Sequence, residues 1–186
     1  MGALRPLVGF VLVFCLVTAF SGCGGGKPHA PTGASAAAKS HTVRSRACEH
    51  NPRDGVQTPD RLQVLSPCAA FQGTVDQAPV KYPPDGDVVF PVKPDPGYAN
   101  MLNAQNRSEG GLHIEIVPRD QPGCTPGQPI HMDDVPDLGT CSGRDLAAPA
   151  LGAHVRIVGP WVFDRNHGFY EIHPAWSITP ARRSPG

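Results

Sequence analysis

The densest group of side chains able to do chemistry lies within Trp161–Ile178, WVFDRNHGFYEIHPAWSI. It contains Asp164, His167, Glu171 and His173. Imidazole and carboxylate together are the donors of a borderline divalent cation such as Zn²⁺, Mn²⁺ or Fe²⁺. A second pair, His113 and Glu115, stands on another apolar segment, Leu112–Val117. If the two segments are neighbouring strands, His113 and Glu115 share one face with Glu171 and His173, opposed residues lying about 5 Å apart at Cβ, and Asp164 and His167 at the turn add further ligands. The set His113, Glu115, Asp164, His167, Glu171 and His173 is therefore the candidate metal group. The spacing His-x-x-x-Glu-x-His is not that of a zincin helix. The competing reading is structural: Glu and His on opposed strands pair with each other, because a buried polar group demands a partner. His167 then caps the turn, and Glu115 holds His173.

These residues need strands to position them. Tyr170, Ile172, Trp176 and Ile178 alternate with Glu171, His173, Ala175 and Ser177, the period of a half-buried strand. Pro174, lacking an N–H, favours an edge or bulge. Val155, Ile157, Trp161 and Phe163 alternate likewise, and Asp164–Gly168 is turn chemistry. The reading is a hairpin with one apolar and one polar face. Upstream, Ala69–Val75, Val88–Val92 and Leu112–Val117 read as strands, Asp85-Gly86-Asp87 as a turn, and Tyr98–Asn106 as a helical turn with Met101 and Leu102 inward. Five strands with a long excursion between the third and fourth is the order of an OB-type barrel. The predicted fold is thus all-β, a small five-stranded OB-like barrel. A generic β-sandwich is the competing fold. The excursion, Pro118–Pro149, is rich in Pro and Gly and needs something to tie it down.

Cysteine arithmetic supplies the tie. Beyond Cys15 and Cys23, the chain carries Cys48, Cys68, Cys124 and Cys141. Four cysteines in an exported chain read as two disulfides with three possible pairings, of which the short-loop solution, Cys48–Cys68 and Cys124–Cys141, is favoured. A zinc site is the alternative, but no Cys-x-x-Cys or paired His spacing supports it. The cystines staple the excursion and the start of the first strand.

Several classes of function are disfavoured. The formal charge is zero, which offers little attraction for nucleic acid. No serine sits in Gly-x-Ser-x-Gly, and no glycine-rich phosphate loop follows a strand. No organic cofactor is expected; a divalent metal is the one candidate.

The N-terminus gives an address. A short n-region with Arg5 precedes the apolar run Leu7–Phe20, too short to span a bilayer comfortably. Phe20-Ser21-Gly22-Cys23 resembles the lipobox of bacterial lipoproteins, with Phe20 in place of the usual Leu. The resemblance implies cleavage before Cys23 and its lipidation. Gly24–Ala47, rich in Gly, Ala, Ser and Pro, is a flexible tether. The organisation is then a signal peptide at 1–22, a tether at 23–47, a domain at 48–180 and a disordered tail at 181–186.

The domain also carries a pattern of its own: Gly73-Thr74-Val75, Asp85-Gly86-Asp87, Ile114–Pro118, Gly159–Val162 and His167–Pro174. It resembles a group of uncharacterised exported bacterial domains, often lipoproteins, whose last strand carries HGW-x-EIHP. Phe169 stands where that group commonly has Trp, and Val89 where it often has His. The resemblance implies fold and address and brings no activity. The expectation is an extracytoplasmic, membrane-anchored lipoprotein, a non-catalytic binding or structural module of the cell envelope. The alternative is a metal-dependent hydrolase using Glu115, Glu171 and His173.

Overall fold

Seven strands form one sheet, and five of them close into a ring. The computed structural model describes Cys48, residues 50–82, 85–132, 135 and 138–182. The expected lipobox and tether, and the last four residues, lie outside the described residues. The strands are β1 (Leu62–Val75), β2 (Val80–Lys81), β3 (Val88–Pro94), β4 (Leu112–Ile116), β5 (His154–Asp164), β6 (Tyr170–Ile172) and β7 (Ser177–Pro180). Hydrogen bonding runs β1–β3–β4–β6–β5, and β5 returns to β1. β4 and β6 are parallel, with His113 opposite Glu171 and Ile114 opposite Ile172; the other pairings are antiparallel. No helix among the described residues is long and apolar enough to cross a membrane.

Strand alternation fills the ring. Phe71, Phe90, Leu112, Ile114, Ile116, Ile157 and Ile172 are fully buried together, with Met101 and Leu102 closing one end. As expected, that end carries a helical element: a 3₁₀ turn at Pro96–Met101 and α1 (Ala104–Ser108). Asn103 and Asn106 cap α1 reciprocally. The buried Asn106 amide also accepts from Tyr170 N at 2.9 Å and donates to Tyr170 O at 2.8 Å. It supplies a neighbour's two hydrogen bonds to β6, a strand of three residues.

Both predicted disulfides are present, Cys48–Cys68 and Cys124–Cys141. The long excursion between β4 and β5 is tied further: Asp120 receives Arg144 at 3.1 Å and the Ser142 hydroxyl.

The structure departs from the sequence reading in three places. The first strand begins at Leu62 rather than Ala69, its pairing with β5 interrupted by register shifts around Ser66. The stretch from Tyr170 to Ile178 is two strands. β6 stops at Ile172, and β7 pairs with β5 only from Ser177. Pro174 has no N–H to continue a ladder, and the Pro174 carbonyl packs against Gly159, where any Cβ would lie 2.5 Å from it. Third, the polar face of the hairpin is not a solvent face. Glu171 and His173 are fully buried. Val56, Leu62, Val117 and Val162 form a second apolar cluster on that outer side of the sheet, so the segment preceding β1 roofs it.

Candidate functional site

On the outer face of β4, β5 and β6, four acids and an imidazole are buried together. β4 contributes Glu115 and β6 Glu171, both pointing away from the core because Ile114, Ile116 and Ile172 point into it. His173 follows β6 directly. His173 N donates to Pro160 O, and Ala175 N to Glu115 O, which fixes the irregular stretch against β5 and β4. Asp87 arrives from the turn before β3. Gly86 takes φ +73° there, and the Gln121 amide donates to both Gly86 O and Ile116 O at 2.8 Å, pinning the turn to the end of β4.

The imidazole of His173 is the geometric centre. Its Nδ1 lies 2.9 Å from Glu115 Oε2 and 3.1 Å from Glu171 Oε2. Its Nε2 has no hydrogen-bond partner and lies 3.6 Å from Asp87 Oδ2. Glu171 Oε1 is likewise buried without a partner.

Electrostatics assign the charges. Burial would raise Glu115, but the charge and hydrogen bond of His173, then Arg61 and a bond from Glu171, pull it down to about 2. Burial, reinforced by the Glu115 charge, pushes Glu171 up to about 7. Burial likewise pushes Asp87 up to about 8, Glu115 and Asp85 adding to it against the opposing pull of His173. Burial disfavours charge on His173, yet Glu115 and Glu171 together hold its pKa well above the usual imidazole value. At pH 6, Glu115 is the ionised hub facing an imidazolium, and Asp87 and Glu171 retain their protons.

Beside this group, Asp164 is held in its own network. Oδ1 accepts from Asn166 N and His167 N, and Oδ2 lies 2.8 Å from His167 Nδ1. The Arg61 guanidinium forms an ion pair with the same carboxylate. Asp164 thus closes the β5–β6 turn and orients His167 and Arg61. His113 packs on Phe169 at 4.0 Å, and His167 stacks on Phe169 at 5.4 Å. Burial lowers the pKa of His113, keeping it neutral.

A cleft of about 570 Å³ opens over this face. Asp87 and Glu115 form part of its wall together with Arg61, His113, His167 and Phe169. Glu171 and His173 lie behind that wall.

The six residues singled out by spacing thus fall into three places. Glu115, Glu171 and His173 are in direct contact; Asp164 and His167 form an adjoining pair; His113 stands on the cleft wall. Two sets place their ligand atoms within 4.8 Å of one another: Asp87 with Glu115 and His173, and Asp164 with His167 and Glu171. Asp87 and Arg61 were not singled out. Asp87 reads as a turn residue, and its one signal was membership of the Asp-Gly-Asp marker.

The fold and site together define a class: a disulfide-stapled β domain closed around an apolar interior, with an acid–imidazole centre buried on its outer face. Compared with known proteins, the chain matches no family model, no curated protein and no solved structure.

Proposed function

We propose that the chain is a lipid-anchored, extracytoplasmic binding module of the cell envelope, with the cleft as its binding site. The observation that carries this reading is the cleft itself. Its walls concentrate ionisable side chains of both signs, and its backing is a buried acid–imidazole network, the kind of place where binding sites cluster. Among the described residues its lining holds carboxylates, imidazoles, Arg61 and Tyr82, groups suited to polar and charged ligands. The address rests on the Phe20–Cys23 lipobox and agrees with two cystines, which persist in oxidising compartments. The ring order, with parallel pairing of its third and fifth members, supports an OB-like barrel.

Two measurements test this. Palmitate labelling and membrane fractionation are expected to place the wild-type chain in the membrane and to lose label and membrane association in Cys23→Ala; an unlabelled wild type, or a variant that fractionates as wild type does, refutes the anchor. Native mass spectrometry of gently extracted protein is expected to show a bound small species that Val89→Trp, filling the cleft, removes. Identical spectra for the two refute the cleft as the site.

One observation favours a second reading, a metal-dependent hydrolase: Glu115 both faces the cleft and contacts the buried imidazole. It requires ester or amide turnover that depends on added divalent cation and disappears in Asp87→Asn.

A further inference from the structure

We infer that Asp87, Glu115 and His173 form a binding site for one divalent first-row transition cation. This deepens the binding-module reading and rests on it, since it names what sits on the cleft wall.

The first support is the unpaired nitrogen. His173 is fully buried, yet its Nε2 has no hydrogen-bond partner. Asp87 Oδ2 is 3.6 Å from it, beyond hydrogen-bond range. Two ligand atoms each about 2.1 Å from one ion, at a tetrahedral angle, lie about 3.4 Å apart. The gap is therefore too long for a bond between the two groups and close to the spacing that a shared ion imposes.

The second support is the far side of the ring. A ligating imidazole almost always donates its other N–H to a carboxylate, which fixes the tautomer and orientation. Here His173 Nδ1 faces Glu115 at 2.9 Å and Glu171 at 3.1 Å. Glu171 thus acts as a positioning residue behind the site, and Glu115, whose carboxylate also reaches the cleft, supplies the third donor.

The third support is charge. Four buried carboxyl groups, Asp87, Glu115, Asp164 and Glu171, face one guanidinium and one imidazole. Without an ion these charges balance through protons on Asp87, Glu171 and the imidazole; with His173 neutral and Asp87 ionised to ligate, Arg61 alone opposes Asp87, Glu115 and Asp164. A dication supplies the missing compensation, and the cleft gives it access from solvent. One imidazole with carboxylates suits Mn²⁺, Fe²⁺, Co²⁺ or Zn²⁺ better than Ca²⁺, which takes oxygen ligands alone. The adjoining Asp164–His167–Glu171 set is the weaker candidate, because the Asp164 oxygens are already engaged by two backbone amides, His167 and Arg61.

Calorimetric titration of the chelator-treated full-length protein with Mn²⁺, Co²⁺, Zn²⁺ and Mg²⁺ tests the site. The expected result is one equivalent of transition ion, preferred over Mg²⁺. Asp87→Asn, whose fold is verified by circular dichroism, is expected to weaken binding about 100-fold, and Asp95→Asn, which alters the separate Asp95–His154 pair, by less than about threefold. Less than about 0.2 equivalents bound to wild type overturns the cation proposal. So does loss of binding in His167→Ala with Asp87→Asn unaffected, which puts the ion at the adjoining set. Either failure leaves the cleft reading to the co-purification measurement, which detects a bound species whether or not it is a metal.

Discussion

Glu115 and Glu171 reach the same imidazole nitrogen from 2.9 and 3.1 Å. At an effective dielectric of about 20, a full charge at either distance attracts an imidazolium by about 5–6 kcal/mol, and the two values differ by only about 0.4 kcal/mol. The two carboxyls therefore back each other up. In metal-free protein at pH 6, Glu171 is largely protonated and Glu115 ionised. Glu171→Gln replaces one neutral donor by another and is expected to cost under about 1 kcal/mol. Glu115→Gln forces the charge onto Glu171 and is expected to cost about 1–2 kcal/mol. The double variant leaves Nδ1 with no anion, so its cost is expected to exceed the sum of the singles by about 1–3 kcal/mol. Urea denaturation in chelator reads this directly: the midpoints shift at constant slope. Additivity within about 0.5 kcal/mol refutes the shared-charge picture. A Glu171→Gln cost as large as that of Glu115→Gln refutes the assignment of the charge to Glu115.

Three further outcomes follow from the same geometry. Val89 lies opposite Glu115 on the β3–β4 ladder and lines the cleft; Val89→His is expected to tighten Mn²⁺ or Zn²⁺ binding about tenfold in competition with a chromogenic chelator, and unchanged affinity argues against an ion at that wall. Metal-free stability is expected to fall with rising pH: Asp87 and Glu171, raised to about 8 and about 7, hold protons in the native state that the unfolded chain has already released, so their contribution is complete below about pH 4 and is lost as pH climbs through 7 and 8. Thermal unfolding from pH 4.5 to 8.5, with and without saturating Mn²⁺, checks this; a metal-free curve that rises across the range contradicts it. Gly159→Ala drives a methyl to 2.5 Å from Ile172 Cγ2 and the Pro174 carbonyl, with an expected cost of about 1–3 kcal/mol. It should also weaken metal binding by displacing His173, and unaltered affinity means that the segment is not held by this contact.

The period-two pattern made much of the sheet legible. Leu112, Ile114 and Ile116 do point to one interior, and His113 does pair with Glu171 across parallel strands. Loop length was enough to choose among cystine pairings, since short loops close at lower entropic cost. Alternation says which face a residue occupies but not whether that face is roofed. Part of the cover on that side of the sheet is Val56, packed with Leu62, Val117 and Val162, on a segment with no period of its own. The break after Ile172 depends on Gly159, distant in sequence, and Pro174 alone signalled only an irregularity. Asp87 looked like turn punctuation because a turn and a buried ligand call for the same Asp-Gly-Asp string. What distinguishes them is Gln121, reaching back from beyond β4 to pin that turn.

Burial is what gives this group its meaning. Exposed Glu–His pairs are worth little and imply little. Buried ones are costly unless every donor and acceptor is matched, and a network kept only for structure would converge on full pairing. Here the matching is lopsided. Asp164 has its acceptors filled from four directions, whereas the equally buried His173 Nε2 and Glu171 Oε1 have no hydrogen bond. A fold that satisfies one buried acid so thoroughly and leaves the buried imidazole open on the side of Asp87 has the asymmetry that the proposed cation site accounts for. Protons on Asp87 and Glu171 then act as placeholders for the charge that a cation would bring.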